Sequence, residues 1–350
     1  MKPVSLFTAV RQVRLARQVG VTLVELMVAM VIGLVVVIAL SAVFVSSSTS
    51  RREVESSADV IENGRYALDA MSRELTQAGF YGPLISPPSP GISNVGKLCS
   101  TTLTEWADSL RDHVVGLGSV AGVTTDASPA CLTDRKDGTD AMFVQRAATC
   151  TSVECAPEVA AKAYLQVSEC GDEYSAGSVL VVRPGNDAGL TLKTKACGAA
   201  KADRRQLIRR IYYVSSADVL SYVDVAPGGV SAPVGIVENI EQMQVSYGID
   251  IDGDGTADTF SASTTAADWP LPATPCLFPS SHTCDWRDVV GARVWLLARS
   301  TDPSRNAGNA ASFVLDDTTV SVTAADRNLK RRVYSTYISF ITPTLRRQQP

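Results

Sequence analysis

From Val21 to Val45 the chain is almost wholly apolar and carries a single charged residue, Glu25, whereas from Arg51 onward apolar residues recur at intervals. The first stretch, 25 residues long, makes a helix of roughly 38 Å at about 1.5 Å per residue, more than the roughly 30 Å hydrocarbon core of a bilayer. In the second stretch Val54, Ala58, Ile61, Leu68, Met71, Leu75 and Ala78 are separated by gaps of three, four and seven, which line up as one stripe on a helix. No proline falls between Val21 and Gly79, and Gly79 with Pro83 supplies a stop. The pattern predicts one helix from about Val21 to Ala78, its first half in lipid and its second half packed on a domain. The alternative is two helices joined by a hinge at Ser46-Ser47-Ser48-Thr49-Ser50.

Beyond the helix the period changes. Pro83 to Pro90 reads as a proline-rich loop, and the chain to about Thr139 is rich in Gly, Ser and Thr and predicts irregular structure. Strand patterns follow at Ala141 to Arg146, Ser178 to Arg183, Gln206 to Val214, Glu241 to Ile249, Val289 to Ala298 and Val333 to Ile341. The last sets Tyr334, Thr336, Ile338 and Phe340 on one side and Val333, Ser335, Tyr337 and Ser339 on the other, as a strand with one buried face does. There is no alternation of strands with helices and no repeat at solenoid spacing. The expected class is α+β: an antiparallel sheet packed against the amphipathic half of the helix, in one domain of residues 80–350.

Charge then assigns direction. Lys2, Arg11, Arg14 and Arg17 precede the apolar run without an acid among them, so residues 1–20 are expected in the cytoplasm and everything after Val45 outside it. A secretory signal peptide has an apolar core of only about 7–15 residues, shorter than this run. A plain anchor has no use for Glu25, because a carboxylate in an apolar helix costs a few kcal/mol and implies a cationic partner. With four of the 32 Lys and Arg in the leader, 28 remain against 36 Asp and Glu, so no nucleic-acid footprint dominates. The basic carboxyl end, Arg327, Lys330, Arg331, Arg332, Arg346 and Arg347, reads as a solvated strand edge.

Gly20 followed by Val21-Thr22-Leu23-Val24-Glu25-Leu26-Met27-Val28-Ala29-Met30 resembles the class III signal of type IV prepilins. The resemblance implies cutting between Gly20 and Val21 by a prepilin peptidase, methylation of the new terminus, and Glu25 as the fifth mature residue; the usual first residue is Phe, and here it is Val21. It also implies a role for Glu25 in subunit assembly, its carboxylate meeting the amino terminus of a neighbouring subunit within an apolar bundle, where a paired charge is tolerable and an unpaired one is not. Gly33 would allow close helix approach or local melting. Strand then acidic turn from Val237 to Asp258, the segment Tyr247-Gly248-Ile249-Asp250 and the closing Arg-rich strand further resemble PilW-type minor pilins. That implies a type IV pilin-like fold and four regions: leader 1–20, membrane and filament-core half-helix 21–45, amphipathic half-helix 46–79, and a periplasmic or extracellular head 80–350. It implies an inner-membrane protein that passes into a pilus, with other minor pilins, the major pilin and a large tip adhesin as partners. A large pseudopilin of a type II secretion system shares the same leader and helix and is the nearest alternative; a membrane-anchored, calcium-dependent periplasmic binding module is another.

Cys99, Cys131, Cys150, Cys155, Cys170, Cys197, Cys276 and Cys284 all follow the membrane run, where an oxidising compartment favours disulfides. Local pairing is expected, Cys99 with Cys131, Cys150 with Cys155, Cys170 with Cys197 and Cys276 with Cys284, because each pair brackets a polar loop. A zinc site at Cys276, His282 and Cys284 lacks a fourth ligand and the usual Cys-x-x-Cys spacing. His113 and His282 are the only histidines and no Gly-x-Ser-x-Gly element occurs, so catalysis is not expected and no cofactor is required. Asp250, Asp252, Asp254 and Asp258 fall at loop positions one, three, five and nine, with Gly255 at six and the carbonyl of Thr256 at seven, the spacing with which calcium loops converge on a hard cation. Position twelve is Ser261 rather than Glu, and an acidic hairpin turning at Asp254-Gly255 accounts for the same residues.

Overall fold

The computed structural model describes residues 20–84, 87, 95–118, 131–264, 266, 269, 275–277, 282–304, 307–308 and 310–347; the leader cations and much of the proline-rich loop lie outside them. The chain divides into two compact units, one ending at Val54 and one beginning at Glu55. In the first, the apolar run is the start of helix α1 (Leu23–Leu75), and every residue from Val21 to Val45 is exposed. This stretch is long and apolar enough to cross a membrane. Its hydroxyls are satisfied internally, Ser41 donating to Val37 O at 2.8 Å and Thr49 to Val45 O at 2.9 Å. The helix runs unbroken through Ser46 to Ser50, so a single helix rather than two covers the serine cluster.

The second unit holds the sheets. Its strands are β1 (Val114–Leu117), β2 (Ala141–Ala147), β3 (Ala163–Val167), β4 (Leu180–Pro184), β5 (Arg204–Val214), β6 (Val219–Ala226) and β7 (Gly229–Val230). There follow β8 (Val234–Glu238), β9 (Ile240–Ile249), β10 (Thr259–Ser261), β11 (Val289–Pro303), β12 (Ser312–Leu315), β13 (Thr318–Ser321) and β14 (Leu329–Ser339). Short helices α2 (Leu103–Ser109), α3 (Gly171–Ser175) and α4 (Ile341–Arg347) complete it. One sheet runs β1-β2-β5-β3-β4 with β6 also on β5 and β7 and β8 on β6; the other runs β10-β9-β11-β14; β12 and β13 form a hairpin. All these pairings are antiparallel.

The six expected strands are present as β2, β4, β5, β9, β11 and β14. The region before Thr139, read as irregular, contains α2 and β1. The last strand stops at Ser339 and Ile341 opens α4, whose first turn accepts Pro343 because N–H groups there have no intrahelical partner. The basic carboxyl end is a solvated edge only in part: β14 is the outer strand of its sheet, and Arg327 and Arg332 are exposed. Arg331 forks onto Glu241 at 2.5 and 3.1 Å, Arg346 donates to Gly79 O and Leu84 O at 3.0 and 2.9 Å, and Arg347 is buried.

On the amphipathic part of α1 the buried positions are Val60, Gly64, Ala67, Met71 and Leu75, and Ala78 follows after the helix. The expected stripe agrees from Met71 onward, but Val54 and Ala58 are exposed. Periodicity weighs side chains, and the closest approach of helix to sheet occurs where there is none. A Cβ on Gly64 would lie 2.3 Å from the ring of Tyr334 on β14. Gly64→Ala therefore overpacks this contact and is expected to lower unfolding stability by about 1–3 kcal/mol. Chemical denaturation of the detergent-solubilised chain measures it, and Tyr334→Leu added to the same chain should recover most of the loss; a single variant as stable as its parent contradicts the contact.

Helix and sheet are also tied by charge, since Glu74 near the end of α1 accepts from Arg146 at 2.8 Å and lies 3.6 Å from Arg210, which bonds Asp224 at 2.8 Å. These groups are partly exposed, and their contribution is modest. At the far end of the β9–β11 core, Trp286 stacks edge-on against Tyr247 and Trp269 at 4.9 and 5.3 Å between ring centres.

Candidate functional site

In the first unit, Gly20 and Val21 lie exposed in non-helical backbone ahead of α1. Thr22 N and Thr22 Oγ1 both donate to Glu25 Oε2 at 3.1 Å, and Glu25 N donates to Thr22 Oγ1 at 3.3 Å. A hydroxyl residue before a helix and a glutamate three residues later satisfy each other's backbone N–H groups in this way, as a capping box. Thr22-Leu23-Val24-Glu25 carries that signature in the sequence, with Thr22 as the capping residue. Glu25 is the only charged side chain between Arg17 and Arg51. A cut after Gly20 would set a new ammonium one residue ahead of the N–H that already points at the Glu25 carboxylate. Within one chain the acid caps its own helix, and it keeps enough acceptor capacity to take a further cation.

In the second unit, the segment Asp250 to Asp258 turns between β9 and β10, which pair at Ile249 and Thr259. Gly253 and Gly255 have φ of 84° and 86°, conformations that favour glycine. The carboxylates organise the turn. Asp250 accepts from Gly253 N at 2.7 Å and Gly255 N at 2.9 Å; Asp252 accepts from Asp254 N at 3.1 Å. Asp254 takes both Thr256 N and Thr256 Oγ1, at 2.7 and 2.6 Å, and Asp258 takes Ile251 N and Asp252 N at 2.7 and 3.3 Å. One oxygen from each of Asp250, Asp252 and Asp254 lies within 4.8 Å of the others, a group able to hold a hard cation. Asp258 is outside that group.

Asp250 already has a cation. Arg347, from α4, places Nη1 3.1 Å from Asp250 Oδ2 and Nη2 2.9 Å from Asp288 Oδ1, and donates to Arg287 O at 2.8 Å. Both carboxylates are fully buried, and Asp288 also meets His282 Nε2 at 3.0 Å and Asp285 N at 2.9 Å. Burial pushes Asp250 above the usual carboxylate range, opposed first by Arg347 and then by the Gly255 and Gly253 N–H groups. The exposed Asp254 is instead held low by its bonds from Thr256.

The cysteines join as Cys99–Cys131, Cys150–Cys155, Cys170–Cys197 and Cys276–Cys284, the local pairs expected. Each bond closing such a loop typically contributes about 2–4 kcal/mol. With their sulfurs joined, Cys276 and Cys284 are not thiolate ligands for zinc, and His282 is engaged by Asp288.

His113, the other histidine, is buried beneath Phe340 with its ring edge-on at 5.7 Å and Nε2 2.8 Å from Val289 O. Burial pushes its imidazole down to about 4, with Arg346 and Arg347 adding to the effect. Because the unfolded chain takes up this proton near pH 6.5 and the folded chain only near 4, stability is fully present above about 6.5 and declines as pH falls through that window, by on the order of 3 kcal/mol. His113→Gln, which keeps a donor for Val289 O, should flatten this part of the urea-midpoint profile. A profile with the same slope in both proteins contradicts the assignment.

Two family models match the chain. Residues 15–41 match the prokaryotic N-terminal methylation motif, a span that includes the Gly20 junction, the capping box and the apolar helix. Residues 199–341 match Type IV Pilus-assembly protein W, from just before β5 to the first residue of α4, including the acidic turn. No curated protein matches at a significant level. Among solved structures, a type IV-like pilin from Thermus thermophilus aligns over 81% of this chain and 97% of its own, at 13% identity and a TM-score of 0.34.

Proposed function

We propose that the chain is a PilW-type minor pilin that primes or joins assembly of a type IV pilus, within the tip complex; the matches to the N-terminal methylation motif and to Type IV Pilus-assembly protein W support this reading. The observation that carries this reading is one carboxylate, Glu25, on an exposed apolar helix directly behind a methylation-motif junction. Prepilin peptidase removes residues 1–20 and leaves Val21 as a methylated terminus. Residues 21–45 hold the subunit in the inner membrane, with the disulfide-bonded head on the periplasmic side, until the helix enters the filament. There the carboxylate pairs with a neighbour's terminal ammonium, which relieves the cost of a lone charge in an apolar bundle.

Photo-crosslinkers placed at Val28 and Val35, on the exposed face of α1, test the partners in cells. Adducts with other minor pilins and a large tip adhesin are expected; adducts with secretion pseudopilins alone would move the chain to a type II secretion system. The head needs no cofactor in this reading, since Arg347 supplies the positive charge that Asp250 requires. Calcium added to the detergent-solubilised chain is accordingly expected to bind no more tightly than roughly millimolar. A micromolar constant by calorimetry contradicts that view of the turn.

A further inference from the structure

Arg209 lies on β5 with 1% of its surface exposed, between the rings of Trp106 from α2 and Phe143 from β2, its Cζ 4.7 and 5.0 Å from their centres. Stacking accommodates the faces of a guanidinium but none of its N–H bonds, which point outward in its plane. Among the described residues the one acceptor is Lys97 O, a long 3.5 Å from Nη2. The Nε and Nη1 atoms are buried without a hydrogen-bond partner, and so is the hydroxyl of Tyr81, itself 1% exposed. Arg209 and Tyr81 act on each other electrostatically. Burial raises the Tyr81 phenol, which remains a neutral O–H donor, and pushes Arg209 down to about 9, so it keeps its charge at neutral pH.

Glu105 favours the Arg209 charge through space, but among the described residues no carboxylate bonds the guanidinium. Asp112 is 3.5 Å from Arg111, and Glu105 is 4.0 Å from Lys97. Arg346, 5.7 Å from the Tyr81 ring centre, adds a second positive charge. A buried cation with no anion against its donors is unfavourable, and water can satisfy those donors without neutralising it. We propose that Arg209 and Tyr81 bind a monovalent, halide-sized anion, chloride in the protein's own surroundings, at the junction of the chain leaving α1 with α2 and the β2–β5 pair. The near-complete burial of both side chains excludes carboxylates on larger molecules. Gln145, opposite Arg209 across β2 and β5, fixes its amide Nε2 on Ser109 O and Asp112 O and leaves Oε1 unpartnered. An acceptor oxygen takes a water hydrogen, so one water accompanies the anion there.

Bromide is the probe, because it substitutes for chloride and quenches tryptophan on contact. Trp106 is fully buried and out of reach of bromide in solution. In the full chain in detergent, bromide should quench a saturable fraction of tryptophan emission, chloride should reverse it, and Arg209→Met should lack it. The thermal midpoint should also be higher in chloride than in gluconate at equal ionic strength, by about 3 °C or more. If Arg209→Met fails to fold, this comparison on the unaltered chain still decides. Quenching that rises linearly with bromide, ignores chloride and accompanies equal midpoints means water alone fills the site and overturns the proposal.

Discussion

Replacing Glu25 by glutamine should reduce incorporation of the chain into pili by roughly tenfold or more, while membrane insertion and leader removal continue. The choice of glutamine separates the two tasks available to this side chain. As a capping residue Glu25 accepts from Thr22 N and Thr22 Oγ1 at 3.1 Å, and glutamine serves a capping box as well as glutamate does. As a counter-ion for a neighbour's ammonium it must be charged, and a charge-assisted hydrogen bond lost in an apolar setting is worth about 1.5–3 kcal/mol, enough for a tenfold to hundredfold change in an equilibrium. Thr22→Val is the complementary variant: it removes part of the cap, at a cost of about 1 kcal/mol to the helix start, and keeps the charge. Immunoblots of sheared pili should show Glu25→Gln nearly absent and Thr22→Val largely retained. Equal retention of both would reduce Glu25 to a cap.

The head should be most sensitive at Arg347, whose replacement by Met is expected to cost about 3–5 kcal/mol of unfolding stability. One guanidinium serves Asp250 at 3.1 Å and Asp288 at 2.9 Å, both fully buried, so its removal leaves two enclosed carboxylates without it. The damage should spread to the acidic turn, because the Asp250 carboxylate also gathers Gly253 N and Gly255 N. Arg347→Lys keeps a charge but not the fork, and should fall between the two. Denaturant midpoints of the three chains give the order directly. A loss below about 1 kcal/mol for Arg347→Met would mean that solvent reaches these acids and that the α4 contact is incidental.

The two regions differ in how far they could be read from the chain. Between Gly20 and Val45 the physics is local: one acid in an apolar run speaks for itself, and the Thr22 cap was encoded three residues ahead of it. Strands β2, β5, β9 and β11 announced themselves by runs of branched and aromatic residues. β3 did not, since all five of its residues are buried and no alternation marks it. β6 does carry a strand pattern in its sequence, with Val219, Leu220, Tyr222, Val223 and Val225. The Arg347 ion pairs join residues 97 apart in sequence for Asp250 and 59 apart for Asp288, which no spacing rule reveals. Gly64 is a similar case, because a close approach is written as a missing side chain, and α4 was hidden by reading Ile341 as the end of a strand.

Assembly in this mechanism begins with removal of the leader at Gly20. Intact-mass and amino-terminal analysis of the membrane-extracted chain, from cells with and without prepilin peptidase, tests that directly. A methylated Val21 terminus that disappears when the peptidase is absent is the predicted result; a chain that still begins at Met1 in cells with active peptidase would contradict it and return residues 21–45 to the role of a plain anchor.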